Sequence, residues 1–182
     1  MDFAGVLDKL IEGFESSEVR YALIGGVALG FLGETRATAD IDFLIHRDDL
    51  ANAARVLATL GYEKAFENED VSHFRRKDVP AGGVDVLHAF RAISLSMLQR
   101  AGRVTIGKGR AARVAAPEDV IGLKVQSMAN DPNRKARDLA DIEALAARRR
   151  GTLDWKLIGE YFILFDMREV YDDLKRRLDV AD

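Results

Sequence analysis

Hydrophobic residues recur at three- and four-residue intervals near the start of the chain. Phe3, Val6, Leu7, Leu10, Ile11 and Phe14 predict an amphipathic helix over 2–14 with one buried face. The run Val19–Ile24 is short, apolar and rich in β-formers, so it reads as a strand that ends at Gly25-Gly26. Val27–Leu32 then reads as a short apolar helix, which puts the glycine pair at a strand-to-helix turn. After a polar stretch over 33–39, Asp40–Ile45 alternates and then becomes wholly apolar, as a strand entering a core does. Leu50–Leu60 has helical period, with Asp48 or Asp49 as its N-cap and Gly61 just past its end.

Three more strands are expected at Tyr62–Phe66, Val71–Arg76 and Val84–His88, with Pro80–Gly83 as the hairpin connection between the last two. A short helix at Ile93–Gln99 and two small β segments, Arg103–Ile106 and Ala111–Ala115, complete the mixed region. From Pro117 onward every segment has helical period. Pro117-Glu118-Asp119 opens a first turn, Asp131-Pro132-Asn133 breaks that helix, and Gly151-Thr152 ends the next. Thr152 is then placed to cap a last helical pair running to about Leu178. The expected organisation is an α/β part over 1–115, a mixed sheet flanked by helices, followed by a helical part over 116–182.

Composition narrows the chemistry. The chain has 182 residues, no cysteine, and 27 Lys+Arg against 30 Asp+Glu. Without sulfur there is no disulfide framework, no thiolate zinc site and no cysteine nucleophile. A formal charge of −3 gives no global positive field for nucleic acid or anionic lipid, so any such binding must be local. No apolar run reaches the roughly 18–20 residues of a membrane helix, and Met1–Gly5 lacks a basic, apolar leader pattern. A cytoplasmic location without membrane association is expected.

Gly25-Gly26, then thirteen residues, then Asp40-Ile41-Asp42 is the most informative pattern. Strand alternation sends the side chains at 40 and 42 to one face, where two carboxylates repel unless a cation lies between them. Hard oxygen donors of this kind suit Mg²⁺ or Mn²⁺. Glycine allows close backbone approach, and a helix starting after it turns free N–H groups toward an anion. A metal pair beside an anion cradle suits a nucleoside triphosphate and in-line phosphoryl or nucleotidyl transfer.

These residues resemble the signature of the polymerase-β-like nucleotidyltransferase superfamily. Arg36-Ala37-Thr38-Ala39-Asp40-Ile41-Asp42 is similar to the R-x-T-x-D-x-D form of its AbiEii-like branch, which includes toxins of toxin–antitoxin systems and modifiers of transfer RNA. Pro117–Lys124 and Arg134–Ile142 are similar to that branch's helical half, so the resemblance spans roughly residues 20–145. It implies that Asp40 and Asp42 hold the metals, and that Asp85, in Gly83-Val84-Asp85-Val86-Leu87, completes the metal site and helps activate the acceptor hydroxyl. It further implies that Gly25 and Gly26 bind the triphosphate and that Lys124 neutralises phosphate charge, while Arg36 can be a plain loop charge, though its place beside the metal strand favours a contact to phosphate or acceptor. Asp138 would orient Lys124 or the acceptor. Gly26 stands where serine is common in the family, which removes one hydroxyl contact to a phosphate.

Plainer roles exist for several of these positions. Lys124 on an apolar helix can be a snorkelling surface lysine, and Asp138 and Asp141 can pair with Arg134 and Arg137 one turn away. His46, His73 and His88 show no zinc-ligand spacing and are expected to be structural. Arg148–Arg150 complements a helix end, and with Arg134, Lys135 and Arg137 it could form a local RNA-tracking patch. Trp155, Tyr161, Phe162 and Phe165 are expected in the core. The expected activity is metal-dependent transfer of a nucleoside monophosphate from a triphosphate to a hydroxyl. The acceptor would be RNA, the 3′ end of a tRNA, in a toxin with a cognate antitoxin. The alternatives are an antibiotic-type small molecule as acceptor, or a nucleotide-binding module that does no chemistry.

Overall fold

Seven strands and eight α-helices form among the described residues of this computed structural model, which are 3–34, 37, 38, 40–77, 79–106 and 109–180. Two compact units result: Met1–Phe31 with Arg36–Ala115, and Ala116–Asp182 with Leu32–Thr35.

The first unit is built on one mixed sheet of order β3-β4-β5-β2-β1-β7-β6. Its strands are β1 (Tyr21–Ile24), β2 (Ile41–His46), β3 (Glu63–Glu67), β4 (Val71–Arg76), β5 (Val79–Ala89), β6 (Gly102–Thr105) and β7 (Ala111–Val114). β2 runs parallel to β5 and β1 parallel to β7, while the other neighbours are antiparallel. Ile41, Phe43 and Ile45 project to one face of β2 and are fully buried. There α1 (Phe3–Ser16) brings Phe14 edge-on to Phe43 at 5.0 Å between ring centroids, with Tyr21 5.8 Å from the same ring. Burying a ring of this size contributes about 1.5–3 kcal/mol, so this face sets the register and commits the even-numbered positions of β2 to the other side.

Element ends shift from the sequence expectation, and the differences that bear on the site are at the helix that follows β1, at β5 and at the start of the α-helix that follows β2. α2 (Gly25–Phe31) starts at Gly25, whose φ of 63° is open to glycine, so the pair is the first turn of the helix and not a separate loop. β5 absorbs Pro80–Gly83, and β4 gives way to it directly after Arg76, which pairs with Val79. β2 reaches only to Val84, so the start of β5 is unpaired on that side and tolerates proline. Asp49 precedes α3 (Leu50–Thr59) but makes no capping bond. Its carboxylate instead accepts from Arg20 Nε at 2.7 Å. The short α4 (Ala92–Arg100) follows β5.

The second unit contains α5 (Pro117–Asn130), α6 (Lys135–Arg149), α7 (Trp155–Leu164) and α8 (Arg168–Arg177). Asp131 caps the turn between α5 and α6 by accepting from Asn133 N at 3.0 Å. Asp154, not Thr152, caps α7, accepting from Leu157 N at 3.0 Å. Gly122 lets α7 approach α5: a Cβ there would lie 2.6 Å from the Tyr161 ring. The Tyr161 hydroxyl donates to fully buried Asp119 at 2.6 Å. Among the described residues no helix is long and apolar enough to cross a membrane.

Candidate active site

The sheet's register assembles one polar row. Phe66 pairs with His73, His73 with Asp85, Asp85 with Asp42 and Asp42 with Ile24, so five adjacent strands present these side chains on the face opposite the Phe43 core. Asp42 and Asp85 lie on neighbouring strands whose backbones run about 4.8 Å apart. Gly25 follows Ile24 at the end of that row. A Cβ on it would fall 2.6 Å from Asp42 Cγ, and its φ of 63° is itself in the left-handed region. Glycine is therefore required here both for backbone conformation and for the space the Asp42 carboxylate fills.

Asp40 sits immediately before β2, and its Oδ1 accepts the Gly83 N–H at 2.7 Å. Asp85 Oδ1 accepts from Arg75 Nη1 at 2.7 Å and lies 2.8 Å from His73 Nδ1. Phe66, half exposed, stacks on His73 with ring centroids 5.4 Å apart. The Asp85 hydrogen bond, joined by the fields of Asp40 and Asp42, holds the Arg75 guanidinium above its ordinary pKa.

Among the described residues no three His, Asp or Glu side chains are gathered around one point as ligands of a single ion. Asp40 is turned to the Gly83 amide, and Asp85 to Arg75 and His73. The donor chemistry nevertheless fits a hard divalent cation, since the carboxylates share one end of the sheet and Asp85 already holds a cationic group in the field of Asp40 and Asp42. Asp40, Asp42 and Asp85 are the residues that would hold it.

The remaining expected residues stand apart in the chain. Lys124, on α5, is buried, and its Nζ donates to Asp138 Oδ1 at 3.0 Å and to Asp141 Oδ2 at 2.5 Å. Asp138 also accepts from Arg134 Nε at 3.2 Å. Full burial of Asp138 would raise its pKa, but hydrogen bonds from Lys124 and Ser127 and the charge of Arg134 outweigh that and hold it below the usual carboxylate value. Asp141, expected to pair along its own helix, thus shares Lys124. Arg36 lies outside the described residues. Gly26 is buried in the first turn of α2.

Sequence reasoning gave no site role to His73, Arg75 or Phe66. His73, taken as structural, contacts the expected catalytic carboxylate. The signal was present in the alternation of β4: positions 73 and 75 share a face, and a tight hairpin sets that face against 83 and 85. Hiding it was the placement of the turn at Pro80–Gly83.

A mixed α/β sheet with helices, carrying paired carboxylates beside a glycine-opened helix, defines the nucleotidyltransferase fold, and solved structures of that fold match. One is the solution structure of the antibiotic-resistance factor ANT(2'')-Ia, with TM-score 0.69 and 17% identity over 98% of this chain and 97% of that one. A crystal structure of ANT(2'')-Ia in complex with adenylyl-2''-tobramycin gives TM-score 0.62 and 14% identity over 97% and 99%. An antigenic nucleotidyltransferase-like protein from Paracoccidioides brasiliensis gives 0.59 and 20% over 98% and 92%. Residues 2–169 match the family described as "uncharacterised nucleotidyltransferase", and the chain belongs to that family. No curated protein sequence matches it. The protein is therefore a nucleotidyltransferase, an enzyme of a class that uses a nucleoside triphosphate and a divalent metal.

Proposed function

We propose that the protein moves a nucleoside monophosphate from a triphosphate to a hydroxyl acceptor, using Mg²⁺ or Mn²⁺ held by Asp40, Asp42 and Asp85. The observation that carries this reading is the register pairing of Asp42 with Asp85 next to Gly25, whose missing Cβ makes room for Asp42. The bound cation would screen phosphate charge and lower the pKa of the attacking hydroxyl. Gly25 and Gly26 present the first turn of α2 to the triphosphate tail. Asp85, oriented by His73, takes the proton of the acceptor hydroxyl. That oxygen bonds to the α-phosphorus, the bond to the bridging α–β oxygen breaks, and pyrophosphate leaves. For Lys124, commitment to two carboxylates supports a role in tying α5 to α6. The phosphate-neutralising role that the resemblance implies, with Asp138 as its orienting partner, would require one of those contacts to be given up.

The acceptor reading with most support is a small hydroxylated molecule. Four of the arginines that could have tracked an RNA backbone are spent within the helical unit: Arg134 on Asp138, Arg148 on Glu34, and Arg149 and Arg150 on the carbonyls of Leu32 and Leu178. ANT(2'')-Ia, whose complex holds adenylyl-2''-tobramycin, is matched along nearly its whole length. The RNA reading, a tRNA 3′ end modified by an AbiEii-like toxin with a cognate antitoxin in the cytoplasm, draws on the Arg36–Asp42 resemblance. Incubation with each α-labelled triphosphate in turn, alongside total RNA or a panel of hydroxylated antibiotics, separates the two. Label on the small molecules supports the first reading, label on RNA supports the second, and no label on any acceptor with no pyrophosphate released rejects the transferase assignment for this site.

A further inference from the structure

The Arg75 side chain lies across Gly83, where a Cβ would come within 2.5 Å of its Cζ and 2.8 Å of its Nε. Its Nη1 is fixed by Asp85 Oδ1 at 2.7 Å and by the Phe74 carbonyl at 2.9 Å. A strand glycine thus stands where the guanidinium needs a seat. The positive charge rests on the one oxygen of Asp85 that also contacts His73, in the field of Asp40 and Asp42. Two partners use up the lone pairs of that oxygen, and the guanidinium brings its own charge to where a metal's charge would go.

We infer that Arg75 is a resident counter-ion of the carboxylate site, and that a divalent cation binding Asp85 through Oδ1 must displace it. The inference rests on the proposed reading of Asp85 as a metal ligand. The energetic logic is exchange: a delocalised single charge gives way to a compact double one, while His73 remains to orient the carboxylate. Arg75 is also built to leave, since its side chain is 44% exposed and can rotate into solvent without unpacking the core. Its release costs part of the metal's binding energy, so the metal alone binds more weakly than three carboxylates would otherwise allow. A metal–triphosphate complex supplies phosphate oxygens to the freed guanidinium and recovers that loss, which couples metal binding to nucleotide binding.

The test is Mn²⁺ binding, read from the electron paramagnetic resonance signal of free Mn²⁺ without nucleotide. Wild type is compared with Arg75→Gln and Arg75→Lys. Exchange predicts that Arg75→Gln tightens Mn²⁺ binding by about tenfold, that Arg75→Lys falls between, and that adding triphosphate enhances Mn²⁺ affinity more in wild type than in Arg75→Gln. Wild-type protein carries a second readout that no folding defect can blur: saturating Mg²⁺ should move the Nε–Hε resonance of Arg75 in a nitrogen-15 spectrum to a solvent-exchanging position. Equal or weaker Mn²⁺ binding by Arg75→Gln, or an unmoved Arg75 resonance at saturating Mg²⁺, overturns the exchange while leaving the metal site itself standing. Absence of Mn²⁺ binding in every form, with or without triphosphate, removes the metal site and the exchange together.

Discussion

Each unit of the molecule contains an aspartate held by a cationic side chain, and the two pairs are built to opposite ends. In the helical unit, Asp138 and Lys124 are 0% and 7% exposed, the lysine is shared with Asp141, and Arg134 closes the remaining side. In the sheet unit, Asp85 and Arg75 are 24% and 44% exposed, and the arginine lies over a glycine. Burial makes the first pair costly to break, because losing either partner leaves a buried charge with less compensation in low dielectric. Partial exposure makes the second pair cheap to open, which the proposed admission of a metal and a nucleotide would require. The lesson is that an acidic residue's chemistry is read from what can replace its partner, not from whether it has one.

Removing one partner of the buried pair should produce the largest change in stability. Lys124→Met takes the shared cation from Asp138 and Asp141, leaving Asp138 with Arg134 and Ser127, and is expected to cost about 3 kcal/mol, measured as a lowered urea midpoint followed by circular dichroism. A loss below 1 kcal/mol would show the pair to be no more structural than a surface bridge. Gly25→Ala should come next. Forcing alanine into the left-handed region costs about 1–2 kcal/mol, and the added methyl pushes Asp42 aside, so label transfer should fall far more than the melting temperature does. Equal and modest losses in both would detach Gly25 from the carboxylate. The smallest effect is a pH dependence. Because the folded pKa of Asp138 is depressed, its contribution is fully present above the ordinary value of 3.8 and is lost as the pH falls through the lower folded value. Urea midpoints taken at successively lower pH should therefore drop in that window, and Asp138→Asn should flatten the drop. An unchanged acid limb in that variant would assign the dependence to other carboxylates.

Much of this contrast could be read from the chain, and the limits have physical causes. The strand expected at Asp40–Ile45, the glycine pair and the lone carboxylate in Val84–His88 are local patterns, and the structure realises them with β2 starting one residue later, at Ile41. How Asp85 meets its neighbours is not local. Arg75 and His73 reach it only because β5 begins by pairing Val79 with Arg76, and Pro80-Ala81-Gly82-Gly83 reads as a turn when its true use is a strand start, unpaired toward β2, with a seat for Arg75. Asp49 carries the right residue type for a cap, yet Arg20, 29 residues earlier, claims its carboxylate. Lys124 and Asp138 were both conspicuous in the sequence. The burial that favours a structural bond between them comes from α5 packing on α6, which periodicity cannot assign to a partner.

The central claim is that the half-buried carboxylates at the end of β2 do chemistry, and label transfer from α-labelled triphosphate by Asp40→Asn combined with Asp42→Asn tests it most directly. The account predicts a loss of about 10³-fold or more in a protein whose circular dichroism melt matches wild type. Transfer retained within a few fold would contradict it.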